Sequence, residues 1–211
     1  MLLGAAKHLA VAGQFSGTVH FIFQPAEENE GGGRRMIEEG LFDRFPMEAV
    51  FGMHNFPGLD AGRFALRAGP FLAANDIFEI VVVGRGGHAA FPHNAIDPVG
   101  VAAQVALALQ ALVSKEISPL DTAVLSVTEI HGGESLNVIP DEVAVRGTVR
   151  CFTSEVQDRL RDAIKRTAEG IAHSFGASIR FTYQTRYPAT VNSASPARLA
   201  ADAARDIAGA E

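Results

Sequence analysis

From about Asn75 onward, the sequence contains two kinds of pattern in turn. In one, apolar and polar residues alternate; in the other, apolar residues recur every three or four positions. Alternation is typical of a half-buried strand, and the wider spacing is typical of an amphipathic helix. In chain order these stretches predict strand, helix, strand, strand, helix and strand, at residues 78–83, 97–113, 123–130, 143–150, 154–175 and 179–183. This is the order of the ferredoxin-like arrangement (βαββαβ). Residues 75–187 are therefore predicted to form one compact ferredoxin-like domain.

The second predicted helix carries its own start and stop signals. Ser154 followed by Gln157 has the pattern of a capping box, in which each side chain bonds the backbone amide of the other. Gly176 stands where the helix should end, because glycine readily takes the left-handed conformation found at helix ends.

The segments on either side of this domain, 1–74 and 188–211, follow an α/β pattern. The short apolar runs Thr18–Gln24 and Ala49–Met53 predict strands, and the first of these is expected to be buried on both faces. Helices are predicted from Leu2 to a stop at Gly13, over Arg34–Gly40, and from a cap at Ser195 to Glu211. We expect both segments to be pieces of one larger α/β domain that the ferredoxin-like domain interrupts.

The composition excludes several classes of protein. Eighteen basic and 24 acidic side chains give a net charge of −6, which argues against a dedicated nucleic-acid binder. The single cysteine, Cys151, rules out a disulfide framework, and we expect it to be a small buried residue rather than a nucleophile. We see no apolar run of the roughly 20 residues that span a bilayer and no signal-peptide pattern. The sequence therefore predicts no membrane partner and a cytoplasmic location.

Two glycine-rich segments resemble nucleotide-binding loops only superficially. Gly84–Ala89 (GRGGHA) matches the letters of a dinucleotide fingerprint, but Pro92 would break the helix that must follow. No acidic residue stands at the expected distance of about 20 positions. Gly31–Arg34 lacks the Lys-Ser/Thr pair of a phosphate loop. The glycines around His88 instead let this side chain project into a cleft, or they form a surface turn.

Adjacent carboxylates and a histidine follow the two apolar runs of the first segment. Glu27 and Glu28 come directly after Thr18–Gln24 and Pro25-Ala26, and His54 follows Ala49–Met53. Adjacent carboxylates point in different directions, so one can bind a metal while its neighbour handles the proton of an attacking water. Alternatively, acidic residues here, Glu30 included, only favour the N-terminus of the next helix.

Asn137 and Arg150 are candidate ligands for an anion. Asn137 lies in the segment Asn137–Asp141 (NVIPD) between two predicted strands, and Arg150 ends the second of them. Together they are predicted to hold a carboxylate, the arginine through a forked ion pair. The alternative is that Asn137 only shapes a turn and that Arg150 lines the solvent face of the sheet beside Arg146.

Four motifs in order carry a family resemblance. They are Gln24–Glu28 (QPAEE), Gly52–Asn55 (GMHN), Gly84–Ala90 (GRGGHAA) and Asn137–Asp141 (NVIPD). Together they resemble the M20 metallopeptidase family, in its branch of N-acyl-amino-acid amidohydrolases such as hippurate hydrolases and auxin-conjugate hydrolases. The resemblance implies a zinc-peptidase-like α/β catalytic domain that is interrupted by a ferredoxin-like lid, and the lid also dimerises.

The resemblance also implies a role for each candidate residue. Glu27 matches the general base, and Glu28 and His54 match metal ligands. His88 matches a lid histidine that reaches the active site of the partner subunit and stabilises the developing oxyanion. Asn137 and Arg150 match lid residues that contact the substrate, an N-acyl amino acid.

The chain also departs from the family pattern. The family has a Cys-Gly-His-Asp-Gly-His segment before its counterpart of residues 1–12, and it has a last ligand histidine near its C-terminus; neither is present here. The intact family site holds two divalent ions, and zinc, manganese, cobalt or nickel would suit these ligand types. We therefore expect a central fragment of a homodimeric enzyme that is inactive by itself and that binds few or no metal ions.

Two other functions stay open at this point. The chain could serve only as a dimerising or ligand-binding module, or as a small-molecule sensor that uses the same fold without a metal. The carboxylate pair Glu27-Glu28 and His54 favours the enzyme, because such a module does not need these residues.

Overall fold

The computed structural model describes residues 1–28 and 31–209. Glu30 and the predicted helix end at Glu211 lie outside the described residues. The chain divides into two compact units, with the boundary after Pro57. Each unit is described by itself below.

The first unit contains three helices. They are α1 (Leu2–Ala12), α2 (Gly32–Glu38) and α3 (Leu41–Arg44). Helix α1 ends as predicted at Gly13, which has a φ of 57° and so lies in the left-handed region that favours glycine. Helix α2 starts two residues before the predicted position.

The prediction of two strands in the first unit is wrong. Residues 18–24 and 49–53 are extended or irregular chain, and no described residue before Pro57 belongs to a sheet. Their apolar composition predicted strands, but a strand also needs hydrogen-bonded neighbours, and none of the described residues supplies them. Val19 and Phe23 are accordingly 46% and 57% exposed.

The described residues of the second unit, 58–209, form eight strands and three α-helices, besides a short 3₁₀ turn at Pro92–Asn94. The strands are β1 (Gly69–Leu72), β2 (Asn75–Val83), β3 (Gly87–His88), β4 (Ala123–His131), β5 (Val138–Ile139), β6 (Glu142–Cys151), β7 (Ser178–Tyr187) and β8 (Thr190–Asn192). The helices are α4 (Pro98–Glu116), α5 (Ser154–Ser174) and α6 (Ala194–Ala208). All six elements predicted between residues 75 and 187 are present among them.

The main sheet is antiparallel and has the strand order β4-β6-β2-β7. Every second residue of β2 and β6 is buried, which places one face of the sheet against helices α4 and α5. Ile80, Val145, Leu109 and Leu160 are fully buried at the centre of this core. On the opposite face β6 carries Glu142, Arg146, Thr148 and Arg150, as the alternation in that strand predicted.

Two predicted helix starts need correction. Helix α5 is capped by Thr153, whose hydroxyl accepts a 3.3 Å hydrogen bond from the amide of Val156, and not by a Ser154–Gln157 box. The side-chain amide of Gln157 instead donates hydrogen bonds to the buried carboxylate of Asp76. Helix α6 begins after Ser193, so Ser195 lies inside the helix rather than at its cap.

Helix α4 is long and apolar enough, on length and composition alone, to cross a membrane, with a mean hydropathy of 1.3. This differs from the expectation that no apolar run of the chain is long enough to span a bilayer. In the structure one side of α4, including Val101, Val105 and Leu109, is buried in the core described above. A core helix of this kind satisfies the same criterion as a membrane span.

Candidate functional site

Glu27 and Glu28 lie in a turn that starts at Pro25. Ala26 has a φ of 47° and is the only non-glycine residue with a positive φ in the described parts of the chain. Helix α2 begins close to this turn, because a Cβ on Gly32 would lie 1.6 Å from the carbonyl oxygen of Pro25. The glycine at position 32 is thus required by a close approach of two backbone segments, and both glutamates remain exposed at the surface of the first unit.

The alternative role of these acidic residues concerns the start of α2. No acidic residue lies in the first turn of that helix, which consists of Gly32, Gly33 and Arg34. Glu27 and Glu28 precede the helix by at least four positions, and the effect of the helix dipole falls off within the first turn. A stabilising role toward α2 therefore has little support for these two residues.

His54 is exposed in the loop that closes the first unit. Among residues 1–28 and 31–209, no group of three or more His, Cys, Asp or Glu side chains is arranged to hold a metal ion. A catalytic zinc usually takes three protein ligands. Glu28 and His54 thus do not form a metal site with the other described residues.

His88 and Asn137 come together in the second unit. Strand β3 pairs with β5 so that His88 lies opposite Val138. The amide of Ala89 donates a 2.9 Å hydrogen bond to the carbonyl oxygen of Asn137. The glycine-rich motif and the NVIPD motif, 50 residues apart in the chain, therefore form one two-stranded ribbon.

The glycines of the first motif serve close backbone contacts. A Cβ on Gly84 would lie 2.1 Å from the carbonyl oxygen of Ile96, and one on Gly86 would lie 2.7 Å from that of Ile139. The amide of Gly86 donates a 2.7 Å hydrogen bond to Oδ1 of Asp141. No helix follows directly, only a short 3₁₀ turn at Pro92–Asn94, so the dinucleotide interpretation fails on structural grounds as well.

The imidazole of His88 is exposed, but one of its nitrogens has a fixed partner. Nδ1 accepts a 3.1 Å hydrogen bond from the amide of Ala90. A backbone amide can only donate, so Nδ1 carries no proton in this arrangement and the proton of the neutral ring is on Nε2. The ring of Phe91 packs beside His88 with a centroid distance of 5.7 Å.

Arg150 lies at the other end of the sheet from this ribbon. Asp141 directly precedes the first residue of β6, Glu142, whereas Arg150 is the next-to-last residue of the same strand. Eight residue steps at about 3.3 Å each place Arg150 about 26 Å from Glu142. Within one chain, Arg150 therefore lies near the end of β6 that is opposite to the segment of Asn137. That the two residues together hold a carboxylate stays a prediction.

The guanidinium of Arg150 differs from that of its neighbour Arg146. Arg146 bonds Glu79 at 2.5 Å and Glu129 at 3.2 Å, and these hydrogen bonds raise the pKa of its guanidinium. Arg150 is half-buried, donates a 3.1 Å hydrogen bond to the carbonyl oxygen of Val149, and makes no ion pair with a carboxylate of the described residues. Arg150 thus remains available to an anionic ligand, whereas Arg146 is paired with two carboxylates on the surface of the sheet.

A buried carboxylate that the sequence analysis missed lies next to Arg150. Asp76 is fully buried and accepts hydrogen bonds from Nε2 of Gln157 at 2.8 and 2.7 Å and from the hydroxyl of Tyr183 at 2.8 Å. Burial, together with the bond to Asp76, raises the pKa of Tyr183 far above its ordinary value. Burial likewise raises the pKa of Cys151 to about 11, so this thiol is protonated near neutral pH and poorly suited to act as a nucleophile.

The comparisons with known proteins agree with one another. The sequence model of Peptidase family M20/M25/M40 matches residues 1–211. The N-acetylcysteine deacetylase of Bacillus subtilis is 43% identical over 191 residues, which are 90% of this chain and 50% of that protein. The IAA-amino acid hydrolase ILR1-like 2 of Arabidopsis thaliana is 43% identical over 216 residues, covering 100% of this chain and 48% of that protein. The chain spans about half the length of the curated relatives it matches.

A solved structure extends the similarity to the fold. The Bacillus subtilis protein YXEP, described as a dinuclear metal binding peptidase from the M20 family, superimposes with a TM-score of 0.77 and 36% sequence identity. The match covers 97% of this chain and 51% of that one. The mixed α/β architecture described above is therefore also that of a related metal-binding protein.

Proposed function

Because the chain belongs to peptidase family M20/M25/M40, as the four sequence motifs indicated, we propose that it is part of a metal-dependent amidohydrolase. This enzyme would cleave the amide bond of N-acyl amino acids, hippurate-like compounds among them. The observation that carries the proposal is the family match over residues 1–211, together with two relatives whose names describe deacetylation of N-acetylcysteine and hydrolysis of an IAA-amino acid. The location would be cytoplasmic, which suits a single unpaired cysteine.

The proposed domain organisation divides the chain at residues 74 and 187. Residues 1–74 and 188–211 would belong to a zinc-peptidase-like catalytic domain, and residues 75–187 would form a ferredoxin-like lid and dimerisation domain. The strand order β4-β6-β2-β7 supports the second assignment. Strands β1 and β8 pair with each other just outside these two boundaries, so the chain enters and leaves the proposed lid side by side.

The catalytic roles follow the motif positions. Glu27 would act as the general base that takes a proton from the attacking water and later delivers it to the leaving amine. Glu28 and His54 would contribute two ligands to a divalent metal site that other residues must complete, and the metal would supply a water activated for attack. The exposed positions of all three side chains leave them accessible for such a site.

The lid residues would act across a homodimer. His88 and Asn137 lie beyond the first residue of β6, whereas Arg150 is near its last residue. The stretch of β6 from Glu142 to Arg150 is about 26 Å long, which is much longer than a small N-acyl amino acid. A two-fold dimer resolves this separation, because each site can take Arg150 from one subunit and His88 with Asn137 from its partner. Arg150 would hold the substrate carboxylate, and the Nε2–H group of His88 would stabilise the oxyanion.

The exposed side of α4 supports a second copy of this chain as the partner. Val99, Ala103, Leu107 and Ala111 form a stripe with helical spacing, and no charged residue occurs between Pro98 and Ser114. Leu107 is 73% exposed. Strand β4, which contacts α4, is an edge strand of the main sheet, and edge strands readily pair with another chain.

A second candidate function is a dimerising or small-molecule-binding module without catalysis. One observation favours it for the 211-residue chain alone: the described residues offer two candidate metal ligands and no cluster of three. We therefore expect the isolated chain to release no amino acid from N-acetyl or N-benzoyl substrates when zinc, manganese, cobalt or nickel is added. Metal-dependent release by the isolated chain would contradict this part of the proposal.

The enzymatic proposal is tested in a chimera in which residues 1–211 replace the matching half of the N-acetylcysteine deacetylase. We expect metal-dependent release of the amino acid, and Glu27→Gln to lower it by roughly 10²- to 10⁴-fold, the usual contribution of a general base. Glu38→Gln, an exposed change on α2, is the matched control and should be silent. A folded chimera that releases no amino acid, here and in the frame of the Arabidopsis relative, would contradict the proposal.

A further inference from the structure

We propose that Asp141 is a positioning residue that fixes the loop of His88, so that the imidazole presents Nε2–H as a hydrogen-bond donor. The inference deepens the proposed amidohydrolase function. It rests on that function only for the role of the Nε2–H donor, which is to stabilise the oxyanion. The effect of Asp141 on the tautomer of the His88 ring can be tested without measuring catalysis.

Asp141 holds the glycine loop at two points. Its side-chain Oδ1 accepts the 2.7 Å hydrogen bond from the amide of Gly86, and its backbone oxygen accepts one of 2.8 Å from the amide of Gly84. Both contacts lie within four residues of His88. A bond from an amide to a carboxylate is shorter and stronger than one to a neutral acceptor. The side chain of Asp141 thus fixes the residue that directly precedes β3, the strand that carries His88.

The fit around this contact leaves little freedom. A Cβ on Gly86 would lie 2.7 Å from the carbonyl oxygen of Ile139 and 3.0 Å from Oδ1 of Asp141. From Gly86 onward the loop is fixed by the pairing of Gly87 with Ile139 and of His88 with Val138. Asp141 therefore closes the open end of a ribbon that is only two residue pairs long.

The ribbon in turn determines the tautomer of His88. Its ring is oriented by the 3.1 Å bond from the amide of Ala90 to Nδ1, and that amide is within reach only while the loop keeps this conformation. With Nδ1 occupied as an acceptor, the proton of the neutral ring stays on Nε2, which is free to donate. Loosening the loop would release Nδ1 and allow the other tautomer.

The experiment measures the tautomer of each histidine in the ¹⁵N-labelled 211-residue chain by long-range ¹H–¹⁵N correlation at about pH 8.5, where an ordinary histidine is neutral. His88→Asn identifies the His88 signals, and His173, on the exposed side of α5, is the internal reference. We expect His88 to be more completely in the Nε2–H form than His173. In Asp141→Ala the tautomer ratio of His88 should fall toward that of His173, by roughly fivefold for the loss of one hydrogen bond.

Matched variants separate positioning from a general loss of structure. Asp141→Asn keeps an acceptor oxygen and should retain the tautomer. Glu142→Ala removes the adjacent carboxylate, which bonds Arg180 at 2.6 and 2.7 Å instead of the loop, and should leave His88 unchanged. Should Asp141→Ala fail to fold, Gly86→Ala disrupts the same contact from the loop side and should produce the same fall.

Three results would overturn the inference. They are a tautomer ratio of His88 in the unmutated chain that equals that of His173, an unchanged ratio in folded Asp141→Ala or Gly86→Ala, and an equal change in Glu142→Ala. None of these results depends on metal binding or on substrate turnover. Failure of this inference is therefore distinct from failure of the proposed enzymatic function.

Discussion

Gln157 donates from one amide nitrogen to both carboxylate oxygens of Asp76, at 2.8 and 2.7 Å, and ties the first turn of α5 to the start of β2. Asp76 is fully buried, and no Lys or Arg of the described residues forms an ion pair with it. A buried carboxylate without a cation depends on its hydrogen-bond donors, here Gln157 and the hydroxyl of Tyr183. This cluster is the polar centre of an otherwise apolar core.

Removing the amide should destabilise the second unit. In Gln157→Leu, Asp76 loses a donor while it remains buried, and we expect the free energy of unfolding to fall by about 1–3 kcal/mol. Urea unfolding followed by circular dichroism measures the change. Gln184→Leu, at an exposed position of β7, is the matched control and should stay within about 0.5 kcal/mol of the unmutated chain. Equal effects of both variants would contradict the importance of the Asp76 cluster.

Stability should fall at alkaline pH. Tyr183 and Cys151 have pKa values above their ordinary ones in the folded chain, chiefly because burial disfavours their charged forms. The unfolded chain therefore binds fewer protons than the folded chain once the pH exceeds the ordinary thiol and phenol pKa values, and the free energy of unfolding decreases as pH rises. The decline should start near pH 9, where the thiol ordinarily ionises, and steepen near pH 10, where tyrosine does.

Two variants assign this decline to its groups. Cys151→Ala should weaken the part of the decline between about pH 9 and 11, and Tyr183→Phe should weaken the part above about pH 10. Urea unfolding at a series of pH values provides the measurement. A slope that neither variant changes would show that other groups cause the decline.

Dimerisation should depend on the uncharged side of α4. Leu107→Glu places a charge in the stripe of Val99, Ala103 and Ala111, and we expect the chain to sediment as a monomer at concentrations where the unmutated chain is a dimer. Leu199→Glu is the control, since Leu199 on α6 is 64% exposed but lies outside the stripe. Analytical ultracentrifugation distinguishes the species. A dimer that persists in Leu107→Glu, or one that Leu199→Glu also abolishes, would argue against this interface.

The sequence predicted those helices and strands whose own apolar residues form a buried face. The six long helices and strands between residues 75 and 187 were recognised, because the apolar side of each packs into the core that they share. The two-residue strands β3 and β5 were not predicted. The runs at 18–24 and 49–53 have the same apolar character but are not strands in the structure. Strand formation requires a hydrogen-bonded neighbour, which a local pattern does not reveal.

The candidate site was predicted unevenly for a similar reason. Motif order identified the family, and the structure joined His88 to Asn137 through the pairing of β3 with β5. It also separated Asn137 from Arg150, although both residues lie in one stretch of sequence, because an extended strand carries its two ends far apart. The contact between Gly86 and Asp141 joins residues 55 positions apart, and no local sequence pattern indicated it.

The most direct test of a site shared between two subunits is complementation between two inactive chimeras. Each site is proposed to use the adjacent carboxylates Glu27 and Glu28 of one subunit and His88 of its partner. A heterodimer of Glu27→Gln with His88→Ala then contains one intact site, and an equal mixture should recover about one quarter of the unmutated activity, as random pairing of a two-fold dimer requires. A mixture of Glu27→Gln with Glu28→Gln contains no intact site and should stay inactive. Equal recovery in both mixtures, or no recovery in the first despite subunit exchange, would contradict the account.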